Sequence, residues 1–281
     1  MKIVECPRDA MQGLEAFVPT EIKANYLNLL LEVGFDTLDF GSFVSPKAIP
    51  QLRDTADVLK KLQLSQTKTK LLAIVANTRG SEEAAIFEEI DFLGFPLSVS
   101  EIFQQKNTNK SIAEALLVVE EIQNICQKNN KKQVVYLSMG FGNPYDEVYS
   151  PEIVEKLAEK LVNLGVEIIV PSDTVGVSSP ENIKSLWKNL TQTFPSTTFG
   201  MHLHSNPNTA TEKINAAYEA GCRRIDTALR GFGGCPMAKD DLVGNIATEK
   251  VLAYFKDKNI DLGLNMDKFN EALKYSLNIF H

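Results

Sequence analysis

Two spacings of apolar residues take turns along this chain. Runs that are continuous or alternate every second position predict strands at KIVEC (2–6), TLDFGSF (37–43), KLLAIVA (70–76), IDFLGFP (90–96), QVVYLSM (133–139), EIIVPSD (167–173), TFGMHLH (198–204) and RIDTALR (224–230). Between them apolar residues recur every three or four positions, the spacing of a helix with one buried face. After Thr20, the residues Ile22, Tyr26, Leu29, Leu30 and Val33 share such a face. Ser111 and Glu114 form a capping-box pair before ALLVVEEI, and Ser150 with Pro151 and Ser179 with Pro180 read as N-cap and first-turn pairs. Gly34, Gly165 and Gly221 sit where helices should stop. Eight strand-then-helix units in one run predict an α/β chain of the (β/α)8, or TIM-barrel, type, with a doubly wound open sheet as runner-up. No linker-like stretch interrupts the alternation, so one domain over residues 1–281 is expected. NMDKFNEALKYSLNIF adds an accessory C-terminal helix within 265–281.

A barrel of this kind does its chemistry at the C-terminal ends of its strands, which makes the residues closing each strand the candidates. They are polar and reactive. The first strand runs into PRDAMQ with Arg8 and Asp9, the second offers Asp39 and Ser42, and the sixth ends in Asp173. The seventh ends in His202 and His204, and the eighth leads to Cys235 and Asn245. Alternation points residues 202 and 204 to the same side, so an inward H-x-H offers two nitrogen ligands to one ion. With Asp9 and a carbonyl such as that of Asn245, the shell would be mixed N/O and suited to Mg, Mn or Zn. Taken alone, the same pair also reads as one buried core histidine beside one exposed, and its place at a strand end is what favours ligation. Arg8 suits oxyanion stabilisation and also reads as half of a surface ion pair. Cys235 follows GFGG, a run flexible enough to carry a thiol over a barrel mouth, and equally a free cysteine in a turn. Asn245 also reads as a helix cap, and Asp173 as a partner of backbone amides.

Composition narrows the partner. The chain is 44% hydrophobic and 23% charged with formal net charge −7, so a large core is available and nonspecific attraction to nucleic acid or anionic membrane is disfavoured. A small-molecule ligand is expected. Four scattered cysteines form no CxxC, which argues against structural zinc or a disulfide framework and for reduced, cytoplasmic thiols. No apolar run approaches the ~18 residues of a membrane span. The KNNKK run at 128–132 reads as a solvated loop at the far face.

Together these residues resemble the hydroxymethylglutaryl-CoA lyase family, metal-dependent lyases of the DRE-TIM metallolyase superfamily. The likeness runs from about residue 3 to about residue 255 through VECPRDAMQ, SFVSPKAIPQL, SEIFQQKNTNKS, GNPYDEVYSP, SDTVGV, MHLH and GGCPMAKDDLVGNIATE. It implies cleavage of 3-hydroxy-3-methylglutaryl-CoA to acetyl-CoA and acetoacetate, the step of leucine degradation and ketone-body metabolism. It makes Asp9, His202, His204 and Asn245 the ligands of Mg or Mn, Arg8 the residue at the thioester oxygen, and Cys235 the acid. It leaves His202 and Asp173 sharing the base role and keeps Asp39 as the third letter of the D-R-E motif. Ser42, Lys47 and Lys106 are the expected contacts to acyl-CoA, and a homodimer is the expected assembly. Departures bear on the substrate: Asp39 stands for a Glu, shortening reach by roughly 1.3 to 1.5 Å. Ala10 and Met11 follow the first Asp, where Met11 would narrow the acyl site, and Phe40 and Gly41 replace small and hydroxyl residues. Ser205 and Asn206 follow the second His in place of an acid and Thr. The rivals are a lyase for another 3-hydroxyacyl-CoA, a condensing synthase of the isopropylmalate or citramalate type, and a barrel that binds acyl-CoA without chemistry. The condensing enzymes carry H-x-H-N-D and lack GGCP, whereas this chain has HLHSN and GGCP.

Overall fold

The computed structural model describes residues 1–234 and 243–280. Parallel strands β1 (Lys2–Glu5), β2 (Thr37–Ser42), β3 (Lys70–Ile74), β4 (Ile90–Ser98), β5 (Lys132–Ser138), β6 (Ile168–Asp173), β7 and β8 (Arg224–Thr227) follow one another around a closed sheet. β7 comes in two pieces, Thr198–Phe199 and Met201–Ser205, on either side of Gly200. A Cβ at Gly200 would meet the Arg224 side chain at 2.9 Å, so only glycine fits beside that buried guanidinium. Closure is made by β1 on β8, in register from Lys2 with Arg224 to Glu5 with Thr227. The predicted eight-strand barrel is the observed one.

Helices α1 (Pro7–Gln12), α2 (Thr20–Val33), α3 (Thr55–Leu59), α4 (Thr78–Ala85), α5 (Glu101–Thr108), α6 (Ile112–Lys128), α7 (Pro151–Asn163), α8 (Pro180–Thr193), α9 (Ala210–Ala220) and α10 (Thr248–Asp257) surround the strands. The Ser111–Glu114 capping box forms as read, and Ser179 forms one with Asn182. Gly34 and Gly221 end their helices in the left-handed conformation. One region differs from expectation: PRDAMQ is not a loop but α1, with Pro7 opening its first turn. A short strand, β9 (Gly244–Asn245), runs antiparallel to β7 and sets Asn245 opposite His204. α11 (Met266–Tyr275) supplies the extra terminal helix and buries Phe269 and Ala272.

Strand alternation divides the core in two. Leu72, Ile74, Phe92, Val134, Ile168 and Val170 fill the barrel interior with Tyr136. Their neighbours Leu71, Ala73, Leu93, Val135 and Ile169 face outward and join the helices in the larger core. Met11 and Phe40 belong to that outer core, so Met11 does not narrow a ligand cavity. Lys131 corrects the reading of KNNKK as solvated: it is buried and donates to the carbonyls of Phe87 (2.6 Å) and Ile90 (2.7 Å).

Glu5 holds the closing seam. Its fully buried carboxylate accepts from Leu229 N (2.7 Å), Thr248 Oγ1 (2.6 Å) and Thr227 Oγ1 (3.2 Å), joining β1, β8 and α10. Burial outweighs those donors and pushes its pKa up to about 8. Between the ordinary Glu range and pH 8 the folded chain therefore binds the proton that the unfolded chain has released, so stability should fall as pH rises through that window and level off above it. Glu5→Gln is expected to flatten this slope, read as melting temperature from pH 5 to pH 9. An unchanged slope would show that the carboxylate is ionised and compensated in place.

Candidate active site

The C-terminal mouth of the barrel opens on a cavity of about 340 Å3. Arg8 and Asp9 reach it from α1, Asp39 from β2, and His202 and His204 from β7. α1 aims Arg8 in two directions. Nε and Nη2 bind Asp39, with Nη2 at 2.5 Å from Oδ2, while Nη1 donates to Asp9 Oδ1 (3.0 Å) and to Gln12 Oε1 (2.9 Å). Asp39 is fully buried, and its short side chain still reaches the guanidinium twice. A register irregularity between Asp39 and Gly41 accompanies that approach, and Gly41 is required because a Cβ there would strike Thr55 at 2.4 Å. Burial pushes Asp39 up to about 6 against the pull of Arg8, which leaves it ionised at neutral pH. Burial also works against charge on Asp9, but Arg8 and the two histidines outweigh it and hold that carboxyl below its usual range.

The two histidines are oriented from behind. His204 Nδ1 lies 3.0 Å from Thr174 O, which can only accept, so Nδ1 carries the proton. His202 Nδ1 faces Asp226 Oδ2 at 3.3 Å, and the same reasoning gives it a proton. Both lone pairs then sit on Nε2, and the two Nε2 atoms are 3.1 Å apart. Two lone pairs at that distance repel unless a proton or a cation lies between them. Two ligands at about 2.1 Å from one ion and at right angles to each other stand about 3 Å apart. Asp9 completes the group, with its carboxylate and both ring nitrogens all within 4.8 Å of one another. One carboxylate and two imidazoles fit a hard or borderline divalent ion. Burial, and after it the neighbouring His202, disfavour charge on the His204 ring and hold its pKa below the ordinary histidine range.

Other expected residues fall differently. Asn245 stands beside Asp9 but presents its amide nitrogen, donating to Asp9 Oδ2 (2.6 Å) and Phe232 O (2.9 Å). It caps no helix; Ala247 precedes α10. Asp173 lies away from the cavity because β6 turns Ser172 inward and residue 173 toward the helices. Its carboxylate is occupied by Val177 N, Ser178 N, Ser178 Oγ and Lys213 Nζ. Ser42 is buried with its hydroxyl accepting from Val44 N, outside the cavity lining. Lys47 is exposed on the turn after β2, and Lys106 lies on α5, not on a loop, with Nζ 4.6 Å from the Tyr145 ring centre. Cys235 lies outside the described residues. The glycines before it run against the site: a Cβ at Gly233 would meet Asn245 Nδ2 at 2.7 Å and Asp9 O at 2.9 Å. Asn206 lies behind the site, its side chain accepting from Asn208 N and Thr209 N.

Sequence reading missed Gln12, Thr174 and Asp226. Asp226 had a signal, since it is a carboxylate inside a predicted strand with the inward parity of Arg224. Gln12 had none without α1, because its place four residues after Arg8 matters only on a helix. Cys6 groups with His202 and Asp226 as well, but burial holds its thiol far above the ordinary range and so protonated.

Comparison with known proteins agrees with this geometry. A family model described as HMGL-like matches residues 2–275. The chain is 33% identical to hydroxymethylglutaryl-CoA lyase of Bacillus subtilis over 96% of its length and 89% of the relative's. It is 34% identical to the mitochondrial hydroxymethylglutaryl-CoA lyase of Mus musculus, covering 97% and 83%. Among solved structures, an HMG-CoA lyase from Brucella melitensis superposes with a TM-score of 0.91 at 28% identity, covering 98% and 97% of the two chains. An HMG-CoA lyase from Acinetobacter baumannii in complex with coenzyme A and 3-methylmalate superposes equally well, with a TM-score of 0.91 at 28% identity, covering 100% and 91%.

Asp39→Asn keeps the shape of the Arg8 site and removes its charge partner. Breaking a buried pair this way should cost roughly 3 kcal/mol or more, measured by urea unfolding at pH 7. A loss below about 1 kcal/mol would show that Asp9 and Gln12 satisfy the guanidinium unaided.

Proposed function

The chain belongs to the HMGL-like family, and from that premise we propose that it cleaves 3-hydroxy-3-methylglutaryl-CoA to acetyl-CoA and acetoacetate in a reaction dependent on Mg or Mn. The observation that carries the reading is the opening of Arg8 and of the Asp9, His202 and His204 group onto one cavity. A retro-aldol cleavage must remove the proton of a tertiary alcohol, break a carbon–carbon bond and protonate the carbon left behind. A divalent ion held by Asp9, His202 and His204 would acidify that alcohol and orient it. Arg8, kept charged by Asp39, lies ready for the thioester oxygen, where negative charge grows as the bond breaks.

The occupied carboxylate of Asp173 argues against it as the base, and His202, with Nε2 turned to the ion's place and Nδ1 already protonated toward Asp226, has no lone pair to spare, so the alcohol's proton would leave through a water molecule in the open mouth. The carboxylate of Asp226 behind His202 keeps the proton on Nδ1 and so leaves Nε2 for the ion. Cys235 then gives its proton to the acetyl-CoA carbanion. Its thiolate regains a proton from the solvent that took up the alcohol's proton, so that one proton leaves the alcohol and one reaches carbon. The glycine run at 231–234, with Gly231, Gly233 and Gly234 all at positive φ, delivers the chain to the mouth just before this cysteine.

A second reading, a larger 3-hydroxyacyl-CoA, has its own observation. In an eight-strand barrel β3 and β4 stand across from β7 and β8, and the wall at their ends is apolar, with Ile74, Ala76 and Pro96, joined by Ala48 from the turn after β2. A substrate held at the histidines would place its remaining substituent against that wall.

Purified protein incubated with Mn2+ and hydroxymethylglutaryl-CoA should release acetyl-CoA and acetoacetate in equal amounts, cease with EDTA and resume on adding Mn2+. Cys235→Ala should lower kcat by about a hundredfold or more. No release from this thioester, with release from a homologue bearing a longer 3-alkyl group, would select the second reading. No release from either would sink both.

A further inference from the structure

Lys213 sits in the first turn of α9 and is almost wholly buried, at 2% exposed. A buried ammonium is costly unless each of its three protons is taken, and here each is. Nζ donates to Asp173 Oδ2 (2.9 Å), to Gly176 O (3.0 Å) and to His204 O (2.8 Å). These acceptors belong to the end of β6, the turn after it and the end of β7. Between Asp173 and Gly176 lies Thr174, whose carbonyl receives His204 Nδ1. Asp173 stiffens the same turn by accepting from Val177 N (2.8 Å), Ser178 N (3.1 Å) and Ser178 Oγ (2.5 Å).

We propose that Lys213 is the positioning residue for His204. It fixes the backbone of that histidine directly, through its carbonyl, and fixes its ring indirectly, by holding the turn that presents Thr174 O. Asp173 serves as the counter-charge that keeps Lys213 in place. The inference rests on the reading of His204 as a metal ligand and adds to it a residue that touches neither ion nor substrate. Partners one step behind metal ligands typically set affinity by ten- to a hundredfold.

The test uses the full chain. Lys213→Met should weaken Mn2+ binding, followed by electron paramagnetic resonance, by tenfold or more. The loss of kcat/KM should largely recover at saturating Mn2+, because the defect is in holding the ion. Lys213→Met also strands the charge of Asp173 and so threatens folding. The double variant Lys213→Met, Asp173→Asn removes both charges and should fold with Mn2+ binding still weakened. A third readout needs no metal: the chain has three histidines, so the imidazole 15N spectrum of metal-free protein should show a fixed Nδ1–H tautomer for His204 that is lost in both variants. Wild-type Mn2+ affinity and an unchanged tautomer in the folded double variant would overturn the proposal. Wild-type protein that neither binds Mn2+ nor cleaves thioester would instead overturn the metal reading and Lys213's part in it. A shifted tautomer with unchanged affinity would also count against it, since positioning without effect on the ion is not the role proposed.

Discussion

Nε2 of His202 and Nε2 of His204 face each other 3.1 Å apart, and much of the upper barrel is organised around keeping them so. Left free, two imidazoles two residues apart would turn their lone pairs to water. Thr174 O and Asp226 prevent that by taking the opposite nitrogen of each ring; Thr174 lies in the turn just past the end of β6 and Asp226 in β8, the strands flanking β7. The orientation is therefore a product of barrel register. β7 must sit with His202 opposite both Ser172 and Asp226, as it does, or one ring loses its partner. Fold and site are coupled at this point, because a slip of one residue in β7 would turn both rings toward the helices.

The second constraint is charge. Arg8, Asp9 and Asp39 are all largely buried, and burying charge is costly unless each group finds a partner. α1 solves this locally. Six residues of helix directly after β1 put Arg8 between two carboxylates and bring Gln12 back onto both Arg8 and Asp9. Asp9 thereby faces Arg8 with one oxygen and Asn245 with the other, which limits where its remaining lone pairs can point. The positive charge of Arg8 is thereby held in one place at the mouth of the cavity, with Asp39, Asp9 and Gln12 all accepting from it.

How much of this was legible follows from which interactions are local. The strands, most of the helices and the terminal helix were legible because period and caps are written in contiguous residues, and the H-x-H parity put both rings on one side. Asp173 shows where that reasoning stops short. It ends a strand at the mouth, as a catalytic group would, yet period two also says that 168, 170 and 172 face in and 173 faces out. Position along the strand was weighed and parity was not. Its partner Lys213 was beyond reach, since a lysine near the start of an amphipathic helix normally reads as solvated, and only the three acceptors arriving from the end of β6, the turn after it and β7 show otherwise. Lys131 misled in the same way. α1 was lost to Pro7, which marks a turn as readily as a first helical turn.

The terminal helix shows the same coupling from outside. α11 looks remote from the mouth, but the segment around it grips the chain that leads to Cys235. Arg230, itself in the left-handed region, donates through Nε to Ser276 Oγ (2.8 Å) and through Nη2 to Leu273 O (3.1 Å). Phe232 stacks on Phe280 with ring centres 4.6 Å apart. Beyond Phe232 the chain has only glycine until residue 235, and those glycines lie against Asp9 and Asn245. A non-glycine residue at positive φ is strained, and Arg230 tolerates it because both its side chain and its amide are held, the latter by Glu249. The glycine run is thus held on one side by the contacts of Arg230 and Phe232 with the terminal segment and packed on the other against Asp9 and Asn245.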